Sequence, residues 1–323
     1  MTPIERRRAE ECDAADPLAG FHDRFVIDDP DLIYLCGNSL GRLPKATAEQ
    51  IQAATEHWGR HLVQGWHQWL DLPTRVGDLL AEHILGARSG EVVVSDSTSV
   101  NLYKLGAAAL AARPDRRVVV TDDDNFPTDR FIVAGLGAVR PLPGHPVEGP
   151  DAESLRAVLD HDVALVSLSH VGYRTSALAD MAGLTAVAHE AGAIVLWDLS
   201  HSAGCVPIAL TEAGVDLAVG CTYKYLNAGP GAPAFLYVRR ELQAGLRQPI
   251  WGWFGQRDQF AMGPSYDPFA DVRQFLVGTP PVLGIQAVRA SAAMIAEAGL
   301  EAIRDKALAL GTLAVDLHDA WLA

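Results

Sequence analysis

Apolar residues along this chain follow two rhythms. From about Glu91, short runs rich in Val, Ile and Leu alternate with segments of helical spacing. EVVVSD, RRVVVTDDD, ALVSLSH, AIVLWDLSH and DLAVGCT read as strands, most of them ending in polar residues. Between them, residues 99–112, 128–136, 154–160 and 181–191 have helical composition. Such alternation predicts βαβ units and a mainly parallel sheet covered by helices. Upstream, residues 44–63 and 74–85 read as amphipathic helices joined by the aromatic loop GWHQWLDLP. After Val238 the pattern turns irregular, with WGWFGQRDQF, PSYDPF and VGTPP, before two helices at Val282–Ala298 and Leu300–Leu322. The expected organisation is a helical N-terminal segment (1–90), a large α/β domain (91–280) and the start of a small C-terminal domain (281–323). The last helix has no stop signal, so the small domain reads as incomplete.

Composition narrows the class. With 323 residues, 49% hydrophobic and 20% charged, the chain reads as a soluble globular protein. A formal charge of −14 argues against nucleic acid or an anionic membrane as partner. The four cysteines, Cys12, Cys36, Cys205 and Cys221, form no C-x-x-C pair, which favours reduced thiols in a cytoplasmic protein over disulfides or zinc. Apolar runs such as 105–112 are too short to span a membrane, and the arginines near the start have no apolar run behind them to make a secretory signal.

Candidate chemistry gathers at strand ends, where open parallel sheets bind ligands. Asp198 closes the apolar run 193–197, and Lys224, between Tyr223 and Tyr225, follows the run 217–220. Pyridoxal phosphate needs this pair: a lysine to form a Schiff base and an acid to keep the pyridine nitrogen protonated. The plainer alternative is a buried ion pair with packing tyrosines. His201 could lie against such a ring or support Asp198. SDSTSVN, residues 95–101, places hydroxyls at a helix start, either as an anion site or with Ser97 or Ser99 as a simple cap. In NFPTD, residues 125–129, Phe126 could stack on a flat ring, or the segment could be a proline turn opening a helix, with Asp129 favouring its amino end. Ser169 and His170 end ALVSLSH, as cofactor contacts or as satisfied polar groups. Four strand-end sites together favour the cofactor. His57 and His61 have helical metal-pair spacing but lack a metalloprotease glutamate, so no metal is expected. G-x-G-x-x-G after a strand, G-x-S-x-G and a Walker lysine are all absent from the sequence.

In chain order, YLCGNSLGRLP, SDSTSVNL, NFPTD, WDLSHSAG, GCTYKYLNAGPG, GWFGQ and VGTPP closely resemble the kynureninase family, from about Tyr34 onward. These are pyridoxal-phosphate enzymes of aminotransferase-like fold (fold type I). The resemblance implies Lys224 as the Schiff-base lysine, Asp198 as partner of the pyridine nitrogen, and Thr98 and Ser99 as phosphate ligands. It implies that Phe126, Pro127, Thr128 and Asp129 frame the ring together with Ser169, His201 and Tyr223. Catalysis falls to Lys224, Tyr223 and Asp198. Trp253 and Thr279 enter from the other subunit of a homodimer; Asn38 and Ser39 hold substrate, and Trp66 lines the aryl pocket. The implied reaction is hydrolysis of L-kynurenine or 3-hydroxykynurenine to L-alanine and anthranilate or 3-hydroxyanthranilate, in tryptophan catabolism and NAD biosynthesis.

Two departures stand beside the resemblance. The family's small domain continues further and supplies an arginine for the substrate carboxylate, and no matching motif occurs here. Gln256 also replaces the histidine of the family's GWFGH. A truncated chain that binds cofactor without turnover is therefore one alternative. Another is a related cysteine or selenocysteine lyase, although no cysteine follows Cys221 to serve as its mobile nucleophile.

Overall fold

The computed structural model describes residues 3–322. Seven strands form one sheet: β1 (Val92–Val94), β2 (Val118–Asp122), β3 (Ala138–Leu142), β4 (Val163–Ser169), β5 (Ile194–Asp198), β6 (Leu217–Gly220) and β7 (Phe235–Val238), in the order β1-β7-β6-β5-β4-β2-β3. The pairs from β6 through β5, β4 and β2 to β3 are all parallel. β7 runs antiparallel to both β6 and β1. Two reversals cancel, so β1 runs in the same direction as β6. The carboxyl ends of β1, β2, β4, β5 and β6 therefore share one edge.

Strands in this sheet read as unbroken apolar runs because both faces are covered. Alternate residues enter different cores: Val92 and Val94 join one, Val93 the other. The first core packs Leu72, Val76 and Leu80, Leu184 and Val187, and Ile285, Val288 and Ala292 from three helices. The second packs Leu102 and Leu105 of the Thr98–Ala111 helix with Phe254, Val272, Phe275 and Leu276. Residues upstream of Glu91 and downstream of Pro280 thus share a core with the central sheet. Trp197 of β5 is fully buried, and its indole N–H donates to Thr185 Oγ1 at 3.1 Å. A side chain of that size adds about 3 kcal/mol by burial.

Two strands depart from the sequence expectation. β3 is an edge strand with Arg140 and Pro141 in its middle and mostly exposed side chains, so no apolar run marks it. β7 is a four-residue return strand, and it places Lys224 in the connection between β6 and β7. Helix limits differ by a few residues. The expected 44–63 helix is Lys45–His61, and the expected 74–85 helix spans Leu72–Leu80 before a π turn to Leu85.

Candidate active site

The shared strand edge gathers most of the expected site. Register pairs Ser169 of β4 with Asp198 of β5, and Asp198 with Val219 of β6. Asp198 is buried, and its Oδ1 accepts the backbone N–H of Ser200 at 2.8 Å. Lys224 Nζ lies 2.8 Å from His201 Nε2. The same amine sits 5.8 Å from the ring centroid of Phe126 and 5.9 Å from that of Tyr223. Burial, assisted by the charge of Lys224, lowers the His201 pKa, so its imidazole is neutral near pH 7. Burial moves the Tyr223 phenol the other way, keeping it protonated.

Carboxylates crowd the same edge. Asp129, in the first turn of the Pro127–Leu136 helix, is buried and its pKa is pushed up to about 9. Desolvation is the largest cause, followed by the charge of Asp198 and a hydrogen bond to it; Lys224 acts in the opposite sense. Asp129 therefore carries a proton at neutral pH. Its Oδ2 has no protein partner. Asp122, at the end of β2, rises to about 7, again chiefly by desolvation, and its Oδ1 also lacks a partner. Burial lowers His170 to about 4, which makes it a neutral ring packed edge-on to Trp197.

The other candidates fall into four groups. Ser97 caps the Thr98–Ala111 helix, its side chain accepting from Val100 N–H, so the capping role belongs to Ser97 and not to Ser99. Thr98 and Ser99 occupy the first helical turn, where backbone amides have no intrahelical acceptor and face anions favourably. Pro127 opens the Asp129 helix, with half-buried Thr128 next to it. Asn38 and Ser39 lie exposed in a turn closed by Ser39 N–H to Cys36 O at 2.9 Å, and Gly41 N–H docks this turn on Tyr223 O at 2.8 Å. Trp66, Trp253 and Thr279 belong to a separate cluster. Trp66 stands edge-on to Trp253 at 6.4 Å, and Trp66 and Thr279 line a cavity of about 360 Å³ with Trp58, Trp69 and Pro280. Gln256 Oε1 accepts Asp267 N–H at 2.7 Å and so ties its loop together.

Asn125 carries more of the site than the sequence indicated. Its Oδ1 accepts both Ser169 Oγ–H at 2.8 Å and Phe126 N–H at 2.7 Å, while its Nδ2 donates to Thr121 Oγ1. A buried amide between two strand ends fixes the position of both Phe126 and Ser169. An asparagine next to a strand end was the available signal. The His57 ring lies 4.3 Å from that of His61, tilted by 32°, and meets Trp69 edge-on, a packing arrangement. Among the described residues no group of three or more His, Cys, Asp or Glu is placed to hold a metal ion.

This donor set fits pyridoxal phosphate. An exposed aromatic face stands by a lysine amine that is bonded to a neutral imidazole and not locked in an ion pair. A protonated acid with an unpartnered oxygen lies beside an ionisable one, and free helix-start amides stand on the same edge.

Comparison with known proteins agrees. The aminotransferase class-V family matches residues 81–319. Kynureninase from Pseudomonas fluorescens is 44% identical over 313 residues, covering 94% of this chain and 74% of that protein. Kynureninase from Burkholderia pseudomallei (strain 1106a) is 42% identical over 331 residues, covering 98% and 78%. Among solved structures, a cysteine desulfurase from Thermococcus onnurineus NA1 matches with a TM-score of 0.77 at 20% identity, covering 96% of this chain and 76% of that one. A cystine C-S lyase matches with a TM-score of 0.72 at 19% identity, covering 81% and 71%. At such identities these two share the fold alone. The sequence relatives carry the finer distinction: this chain belongs to the kynureninase family, on the aminotransferase class-V fold.

Proposed function

We propose that the chain hydrolyses the Cβ–Cγ bond of L-kynurenine, of 3-hydroxykynurenine or of both, with water adding at the γ-carbonyl and L-alanine and the anthranilate leaving. The observation that carries this reading is the Lys224 amine held between a neutral His201 and the Phe126 ring, with Asp198 on the neighbouring strand end. The kynureninase relatives give the substrate class.

Bound pyridoxal phosphate supplies an aldehyde that joins an amine and a ring that takes up the electron pair released at the substrate α-carbon. The chain's own residues do the rest. Lys224 would hold the aldehyde through its amine, and its free Nζ would be the base for the substrate α-proton. Asp198 would hold the pyridine nitrogen and favour its protonated form. Phe126 would hold the ring by stacking, Asp129 and Ser169 would bond to it, and Pro127 and Thr128 shape the turn beside it. Thr98 and Ser99 hold the phosphate with hydroxyls and helix-start amides. His201 orients the lysine amine. Tyr223, protonated at working pH, relays protons as the bond breaks. Asn38 and Ser39 contact substrate from the turn docked on Tyr223, and Trp66 lines the aryl pocket. Trp253 and Thr279 serve the partner's site in a homodimer. Four unpaired thiols favour a cytoplasmic setting, and no helix among the described residues is long and apolar enough to cross a membrane.

The test is direct. Purified protein with pyridoxal phosphate receives kynurenine and 3-hydroxykynurenine separately, and anthranilate-type fluorescence is followed. Turnover of either is expected, and Lys224→Ala should lower it by at least about a thousandfold. Cofactor binding without product, from both substrates, overturns the proposal.

A further inference from the structure

Lys104 is completely enclosed, and no step above uses it. Its three N–H donors are all placed: Asp96 Oδ2 at 2.7 Å, Phe275 O at 2.7 Å and Ser95 Oγ at 3.4 Å. A buried ammonium costs several kcal/mol unless it is paired and hydrogen-bonded, so these acceptors are held to one geometry. Ser95 and Asp96 lead into the helix that opens at Thr98, and Phe275 lies on a separate segment. Asp96 adopts φ 51°, the left-handed region that non-glycine residues rarely enter, and it turns the chain from β1 toward the helix opening at Thr98. Its carbonyl accepts Ala234 N–H at 2.9 Å, and Ser95 O accepts Asn101 Nδ2–H at 2.8 Å, so the bend is tied on both sides. Phe275 belongs to the Val272–Phe275 turn. Just beyond it, Val277 O accepts Phe254 N–H at 3.1 Å, next to Trp253, and two residues later comes Thr279.

We propose that Lys104 is a positioning residue for the phosphate cradle. By clamping the left-handed Asp96 to the Phe275 carbonyl, it aims the amides and hydroxyls of Thr98 and Ser99 and fixes them against the segment that carries Trp253 and Thr279. This rests on the assignment of Thr98 and Ser99 to phosphate made above. A role in core stability alone would weaken every ligand equally, whereas an aimed cradle discriminates by the phosphate.

The experiment compares pyridoxal phosphate with pyridoxal, which has the same ring and aldehyde but no phosphate. Binding to cofactor-free wild type, Lys104→Met and Asp96→Asn is titrated by absorbance, with circular dichroism to establish folding. Lys104→Met should weaken pyridoxal phosphate at least about tenfold, with pyridoxal changed less than about twofold. Asp96→Asn should change the ratio in the same direction. The Asp96 side chain is 31% exposed and asparagine tolerates the left-handed region, so this variant carries the test if Lys104→Met does not fold. Parallel losses for both ligands, or no loss for either, overturn the proposal. Wild type binding both ligands equally would overturn the phosphate assignment of Thr98 and Ser99, and the role of Lys104 with it.

Discussion

Asp129 and Asp198 stand together at the strand edge, where burial and the charge of Asp198 push the Asp129 carboxyl up to about 9, so that Asp129 holds its proton at neutral pH. Two carboxylates this close cannot both ionise in a desolvated site. Asp129, the more deeply buried of the two, keeps its proton and can donate it in a hydrogen bond.

That arrangement sets a pH dependence for the cofactor-free protein. Asp129 rises from 3.8 to about 9 on folding, so between those values the folded state holds a proton that the unfolded chain has lost. Stability from this group is complete below the lower value and declines as pH rises toward the upper one. At pH 7.5–8.5 the decline is on the order of 1 kcal/mol per pH unit. Other groups titrate in this window, and comparison with Asp129→Asn cancels them, because the amide mimics the protonated acid. Urea unfolding of both proteins should give a steeper loss with pH for wild type; parallel curves would refute the proton assignment.

Gly41 makes a second, local prediction. A Cβ placed there would overlap the Lys224 carbonyl and Asn227, both on the loop that carries the lysine. The Asn38–Ser39 turn reaches Tyr223 only because glycine permits that approach. Gly41→Ala should destabilise the protein by about 1–3 kcal/mol and raise KM for kynurenine. A melting temperature and KM equal to wild type would show that the turn tolerates displacement.

Much of this was legible in sequence, for physical reasons. β1, β2, β4, β5 and β6 are buried on both faces, so each shows as a run of aliphatic residues with its site residue at the end. β3 was not legible, because an edge strand written Ala-Val-Arg-Pro-Leu meets solvent on one side. β7 is too short to separate from the irregular stretch after it. Asp198 and Lys224 could be paired by their positions at successive strand ends. The proton held by Asp129 could not be read, since it depends on burial that no local pattern encodes. Lys104 was hidden for the same reason: within TSVNLYKL it reads as an ordinary solvated lysine.

Phe126 stands 39% exposed beside the Lys224 amine and meets Tyr173 edge-on at 5.3 Å. A ring left open in this way has one face free for a flat ligand. Removing it as Phe126→Ala forfeits stacking of about 0.5–1.5 kcal/mol, roughly a three- to tenfold rise in the cofactor dissociation constant. Phe126→Tyr should keep near-wild-type affinity. Equal affinity for the alanine variant, by absorbance titration, would remove Phe126 from the cofactor site.

The separate cluster of Trp66, Trp253 and Thr279 gives the last prediction. Trp66 packs edge-on against Trp253 and lines a cavity with Thr279, and Lys224 does not line that cavity. In a two-fold dimer a residue far from its own site can complete the partner's, because symmetry repeats each contact. Trp253→Ala would then damage the neighbour's site, while Lys224→Ala damages its own. Each variant alone should be nearly inactive. Mixed in equal amounts and allowed to exchange subunits, half of the dimers carry one of each, and in those one site has both defects while the other is intact. Kynurenine turnover should therefore return to roughly a quarter of the wild-type value. No recovery, with subunit exchange verified by mass, would place Trp253 in its own chain's site or outside both.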